Sequence, residues 1–133
     1  MKSIITIIIT LTIALTAISH EGHDKTPGSL TAPHGGQLKG TSLLYLELVS
    51  DSTGFKIYTV DHDLKMIPVK DVKIEGVVKW PKQKKSEKLT LSASESFLES
   101  KVDAKGSHRY TVELKVIYKG KTENVSFNIE PQE

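Results

Sequence analysis

The segment YTVELKVIY at residues 110–118 has the clearest alternation of apolar and polar side chains in the chain, from Tyr110 to Val116, and this period indicates the fold class. A strand with one buried face has a two-residue period, because successive side chains point to opposite faces of a sheet. The turn residues Lys119, Gly120 and Lys121 follow, and VSFNI at residues 125–129 alternates again. The sequence therefore predicts an antiparallel hairpin over residues 110–129.

More short strands are predicted upstream of this hairpin. LLYLELV at residues 43–49 and FKIYTV at residues 55–60 flank the turn residues 51–54 and predict a second hairpin. Residues 72–80, a segment with Leu89 and Leu91 on one face, and residues 97–102 add strand candidates. No amphipathic helix is predicted after residue 19. We therefore predict an all-β fold, a single immunoglobulin-like antiparallel β-sandwich of about seven strands.

The strand candidate at residues 72–80 has two features of its own. Val72 and Ile74 share one parity and Val77 has the other, which predicts a bulge at Gly76. Trp80, at the end of this strand, is predicted to be a packing anchor, with ligand stacking as the alternative.

The first residues have the features of a cleavable export signal. Lys2 precedes an almost continuous apolar run at residues 4–17, and Ala17 and Ser19 form a small-x-small cleavage signature. The run is too short for a stable membrane span. We expect a signal peptide at 1–19, a flexible His/Gly-containing arm at 20–40, a sandwich domain at 41–133 and a periplasmic or secreted location.

Composition excludes several classes of function. Removing 19 of the 133 residues leaves 114, a length that suits one domain. No cysteine is present, which excludes disulfides and thiolate metal sites, and 18 basic against 16 acidic residues give no support for nucleic-acid binding. Phosphate-loop, HExxH and Gly-x-Ser-x-Gly patterns are absent, so we predict that the protein is not an enzyme.

Histidines in the arm point toward metal chemistry. The chain has five histidines, and His20, His23 and His34 lie within fifteen residues of one another. Imidazole is the commonest biological metal ligand, and nitrogen donors favour copper while also accepting zinc and nickel. A cut after Ser19 would place the α-amine on His20, where the amine and the ring could chelate one ion together. A cut after Ala17 would make His20 the third residue, and the amine, two backbone amides and the ring would then form a square-planar site for Cu(II) or Ni(II).

Two short patterns add candidate ligands. His34 is followed by Gly35 and Gly36, which permit left-handed backbone and close approach to another surface. This segment is either a flexible hinge or a presented ligand or docking histidine. Asp61 and His62 either join a metal site or belong to an exposed turn capped by aspartate. The predicted transition-metal site, for copper or zinc, comprises His20, His23, His34, Asp61 and His62.

Several of these segments together resemble a known group of proteins. HEGHD (20–24), PHGG (33–36), LLYLELV (43–49) and FKIYTVDHDLKMIPV (55–69) resemble small bacterial periplasmic proteins associated with heavy-metal efflux. They are similar also to the His-bearing N-terminal region of cobalt-zinc-cadmium type efflux adaptor subunits. The matching positions are His34, Gly35, Gly36, Glu47, Leu48, Val49, Asp61 and Asp63. The resemblance implies a periplasmic, immunoglobulin-like module that binds or delivers metal, with an efflux adaptor or other envelope protein as partner.

A second resemblance is to copper-resistance proteins of the CopC type, exported β-sandwiches whose mature N-terminal histidine ligates copper. His20 would take that role, but Asp61 and His62 lack the intervening residue of the Asp-x-His pair in that group. The leading hypothesis is an exported periplasmic protein that buffers a transition metal or delivers it to an efflux system. The alternative is an envelope protein–protein interaction module that binds no metal and docks through a strand edge or the lysine run at 82–88.

Overall fold

The computed structural model describes residues 30–131, and nearly all of the regular structure there is β-strand. One 3₁₀ turn, Val69–Asp71, accompanies the strands in this part of the chain. The strands are β1 Gln37–Gly40, β2 Tyr45–Ser50, β3 Gly54–Val60, β4 Lys73–Lys79, β5 Glu87–Lys88, β6 Ser92–Ala93, β7 Leu98–Lys101, β8 Tyr110–Tyr118 and β9 Lys121–Ile129. The all-β prediction is confirmed, with more strands than the seven expected. The predicted signal and residues 20–29 of the arm lie outside the described residues.

The strands form two antiparallel sheets. One has the order β1-β2-β3-β7-β6 and the other the order β5-β4-β8-β9. Both predicted hairpins are present, β2 with β3 and β8 with β9. In the first, the Asp51 carboxylate closes the turn by accepting the backbone N–H of Thr53 at 2.7 Å and of Gly54 at 3.0 Å. Aspartate at this position is thus the local signal for the reversal.

The inner faces of the two sheets share one hydrophobic core. Alternate residues of β2, β3, β4, β8 and β9 supply most of it, as the two-residue period requires. The largest fully buried apolar side chains are Tyr110, Phe55, Phe127, Leu44, Leu46, Leu48, Ile57, Leu114 and Ile129. Burying one such side chain stabilises the fold by about 1.5–3 kcal/mol. The architecture is therefore sandwich-like, with the core between the sheets.

The predicted bulge at Gly76 is wrong. β4 pairs with β8 without interruption, from Lys73 opposite Ile117 to Lys79 opposite Thr111. Gly76 points inward, where a Cβ would approach the Leu114 side chain at 2.7 Å. The phase change arises because Val77 lies half-buried on the outer face, not because a residue is inserted.

Trp80 is the packing anchor that the sequence predicted. Its side chain is buried, and its indole N–H donates to the carbonyl of Asp103 at 3.0 Å. The Lys105 ammonium lies 4.1 Å from the ring centroid. These contacts tie the end of β4 to the segment between β7 and β8.

The first sheet begins at β1, before residue 41, where the sequence predicted that the sandwich domain begins. β1 pairs with β2 from Gln37 opposite Leu48 to Gly40 opposite Tyr45. Its side chains also cover the edge of the second sheet: the Gln37 amide donates to the carbonyl of Asn128 at 2.9 Å. Such coverage satisfies edge carbonyls that a strand at the end of a sheet leaves unpaired.

Candidate functional site

A fully buried glutamate lies on the outer face of the first sheet. Leu46 and Leu48 point into the core, so Glu47 between them points away from it. Its side chain nevertheless has 0% exposure. Burying a carboxylate is costly unless hydrogen-bond donors surround it. The chain before β1 supplies these donors.

Three nitrogen atoms of this preceding segment converge on Glu47. The backbone N–H groups of His34 and Gly36 donate to Oε1, at 2.6 Å and 3.1 Å respectively. The ring Nδ1 of His34 lies 2.8 Å from Oε2. We call His34, Gly35, Gly36 and Glu47 the clasp. Hydrogen bonds to a charged group contribute about 1.5–3 kcal/mol each, so the clasp holds this segment firmly on the sheet.

The two glycines of the clasp have different and specific roles. Gly35 has a φ of +75°, in the left-handed region that glycine adopts without strain. Gly36 lies against β2, where a Cβ would collide with the Leu48 carbonyl and approach the Val49 side chain at 2.8 Å. The predicted left-handed backbone is confirmed at Gly35 and the predicted close approach at Gly36.

The His34 ring is also held by stacking. It lies on the Tyr58 ring with a centroid distance of 3.7 Å and an interplanar angle of 9°. The ring centroids of Tyr58 and Phe97 are 5.6 Å apart, and the Lys56 ammonium lies 4.7 Å from the Phe97 ring centroid. The His34 side chain remains 35% exposed. The ring is thus fixed by Glu47 at one nitrogen and by Tyr58 on one face, while part of it faces solvent.

The Asp61 and His62 candidates lie in a turn after β3. The Asp61 carboxylate accepts the backbone N–H of Asp63 at 2.8 Å and of Lys65 at 2.9 Å. The His62 ring is exposed and meets Tyr45 edge-on at 5.0 Å. The exposed, aspartate-capped turn is thus the one of the two interpretations of this pattern that the geometry matches.

The described residues do not bring the predicted ligands together. His20 and His23 lie outside them, and within residues 30–131 no group of three or more His, Asp or Glu side chains is placed to hold a metal ion. His34, Asp61 and His62 therefore do not form such a group. One imidazole, that of His34, is positioned by a buried carboxylate.

Reasoning from residue patterns missed Glu47 and Tyr58 as members of this site. Glu47 entered only through the resemblance, as a matching position in a strand. A signal was available: the turn at 51–54 fixes the hairpin register, and that register places Glu47 opposite Tyr58 on one face. A glutamate and a tyrosine side by side on the outer face of a hairpin can bind another segment of the chain, through the carboxylate and the ring.

Comparison of the chain with known protein families, characterised proteins and solved structures found no match. Across residues 30–131 there is also no helix of the length and apolar character that a membrane crossing needs.

Proposed function

We propose that this protein is an exported transition-metal-binding protein of the cell envelope, with His34 as one ligand and His20 and His23 as others. It would buffer a metal ion, as cargo, or pass it to an efflux system. The observation that supports this proposal is the 2.8 Å contact between His34 Nδ1 and the buried Glu47 carboxylate. Histidines that ligate metals commonly bond their other ring nitrogen to a carboxylate.

The position of His34 along the chain also favours this function. His23 precedes it by 11 residues. An extended segment of this length spans up to about 36 Å, so the arm histidines have ample reach to the His34 ring. Imidazoles and an α-amine make a nitrogen-rich donor set, which favours copper first and accepts zinc. Since residues 30–131 hold no complete metal-binding group, the remaining ligands in this proposal come from the arm.

The envelope location and the fold assignment belong to the same proposal. The location rests on the export features of residues 1–19. The strand orders β2-β3-β7-β6 and β5-β4-β8-β9 correspond to strands A-B-E-D and C′-C-F-G of an immunoglobulin-type sandwich. That correspondence supports an immunoglobulin-like fold, to which β1 adds one strand.

Calorimetric titration of the exported protein with Cu(II) and Zn(II) tests the function. We expect the wild type to bind one ion per chain, and we expect both the His20→Ala/His23→Ala double variant and His34→Ala to bind more weakly. His108→Ala is the matched control, because His108 is exposed and outside the clasp. A wild type that binds no more tightly than free histidine would refute the proposal.

One observation favours the alternative, an interaction module that binds no metal. Lys82, Lys84, Lys85 and Lys88 are exposed, and none takes part in the ion pairs found within residues 30–131. An uncompensated positive loop attracts acidic partners in a salt-dependent way. Capture of an envelope protein that persists in chelator but is lost in high salt, or on changing these lysines to glutamine, would support this alternative.

A further inference from the structure

We infer that Glu47 is a positioning residue that fixes the tautomer of His34, so that ring Nε2 presents its lone pair before any metal arrives. The role in metal binding rests on the proposed function. The tautomer itself does not, because it is a property of the metal-free protein.

The hydrogen bonds to Glu47 determine which ring nitrogen of His34 carries the proton. Glu47 Oε1 is occupied as an acceptor by two backbone N–H groups, which can only donate. Oε2 faces ring Nδ1 at 2.8 Å. An ionised carboxylate is an acceptor at both oxygens, so Nδ1 must carry the proton in this contact. A neutral ring with its proton on Nδ1 has its lone pair on Nε2.

Stacking on Tyr58 keeps the ring in this orientation. Turning the ring over about its bond to Cβ would place a carbon against Oε2 in place of Nδ1 and would lose the charged hydrogen bond. The parallel contact at 3.7 Å also restricts intermediate ring angles. Rotamer and tautomer are therefore fixed together, and a ligand held this way loses less entropy on binding a metal.

Replacing Glu47 with glutamine should invert the tautomer. The amide oxygen can accept the same two backbone N–H groups, but the amide NH₂ then faces Nδ1 and donates to it. Nδ1 must become the acceptor, and the ring proton moves to Nε2, which blocks the metal-binding lone pair. Changing such an outer partner lowers metal affinity by roughly 10–100-fold. Glu47→Gln keeps the side-chain shape, so this loss is separable from loss of the fold.

Nitrogen-15 NMR of the histidine rings in metal-free protein tests the tautomer directly, at a pH where the rings are neutral. We expect Nδ1–H for His34 in the wild type and Nε2–H in Glu47→Gln. The rings of His62 and His108 are internal controls, and Glu113→Gln, an exposed glutamate on the other sheet, is the matched substitution. A wild-type His34 in the Nε2–H form would overturn the inference without any variant.

Zinc titration of the same proteins then separates this inference from the proposed function. Weaker binding by both Glu47→Gln and His34→Ala, with Glu113→Gln unchanged, supports both. Tight binding by the wild type and equally tight binding by both clasp variants would overturn the metal role of Glu47 while leaving a site in the arm. A wild type without zinc or copper affinity whose His34 tautomer still inverts in Glu47→Gln would refute the proposed function and support the positioning role.

Discussion

Truncating Glu47 to alanine should destabilise the protein far more than removing any exposed carboxylate. The change leaves the N–H groups of His34 and Gly36 and the ring Nδ1 without their acceptor. A buried donor left unsatisfied costs about 1–3 kcal/mol, and solvent can reach part of the His34 side chain and recover some of this loss. We therefore expect a decrease of about 2–4 kcal/mol in the free energy of unfolding, a large part of the roughly 5–15 kcal/mol of a typical domain.

Urea denaturation followed by the fluorescence of Trp80, the single tryptophan, measures this decrease. Thermal unfolding should show a midpoint lower by about 10–25 °C, since 1 kcal/mol shifts the midpoint of a domain of this size by about 4–8 °C. Glu113→Ala is the control: it removes an exposed ion pair with Lys79, whose contribution is about 0–1 kcal/mol. Equal losses in Glu47→Ala and Glu113→Ala would refute the account of the clasp.

Three further predictions test other parts of the structure. Gly36→Ala should destabilise the protein by about 1–3 kcal/mol, because the added Cβ collides with the Leu48 carbonyl. Gly35→Ala should cost less, since its Cβ meets open space and adds only about 1 kcal/mol of backbone strain. Urea denaturation of the two variants measures this difference. Burial, with the negative charge of Asp51, raises the pKa of Tyr110 from its ordinary value of 10.0 to about 12. Its contribution to stability is therefore complete below pH 10 and is lost between pH 10 and about 12, at about 1.4 kcal/mol per pH unit, and Tyr110→Phe should remove this part of the alkaline slope in denaturation curves. Hydrogen bonds from the Thr53 hydroxyl and backbone N–H lower the pKa of Asp51 below its ordinary value of 3.8. The contribution of Asp51 to stability is therefore present above pH 3.8 and is lost as the pH falls through the lowered pKa. Asp51→Asn should flatten the acid limb of the curve of unfolding free energy against pH.

The hairpins were predictable because their signals are local. The segment at residues 110–118 alternates from Tyr110 to Val116, and its bounds match those of β8. Asp51 and Gly54 mark the first reversal, where the carboxylate accepts the Gly54 N–H. Period and turn chemistry act within a few residues, so a single sequence is sufficient to find them.

The short strands were not predictable in the same way. β1 is only four residues long, and β5 and β6 are two residues each and exposed. Such strands form because a neighbouring strand offers backbone hydrogen-bond partners. They bury too few side chains to produce an alternating apolar pattern in the sequence. The error at Gly76 has a related cause, since Val77 is apolar but lies on the outer face.

The clasp depends on a contact that the sequence does not reveal. His34 and Glu47 are separated by 13 residues along the chain, and the charge of Glu47 suggests an exposed position. The burial of Glu47 results from His34 and Gly36 lying over the outer face of the sheet, which the two glycines permit. The histidine was found as a candidate from residue type alone, but the reason for its fixed orientation required the structure.

Native mass spectrometry of the protein purified after expression of the full sequence, with and without modest excess of copper and zinc, tests the proposed metal binding. It gives the first residue of the mature chain and the number of bound ions in one spectrum. We predict one ion per chain in the wild type, on a chain that still contains His20 and His23, and a smaller metal-bound fraction in His34→Ala. A wild-type chain that stays metal-free under these conditions would contradict this prediction.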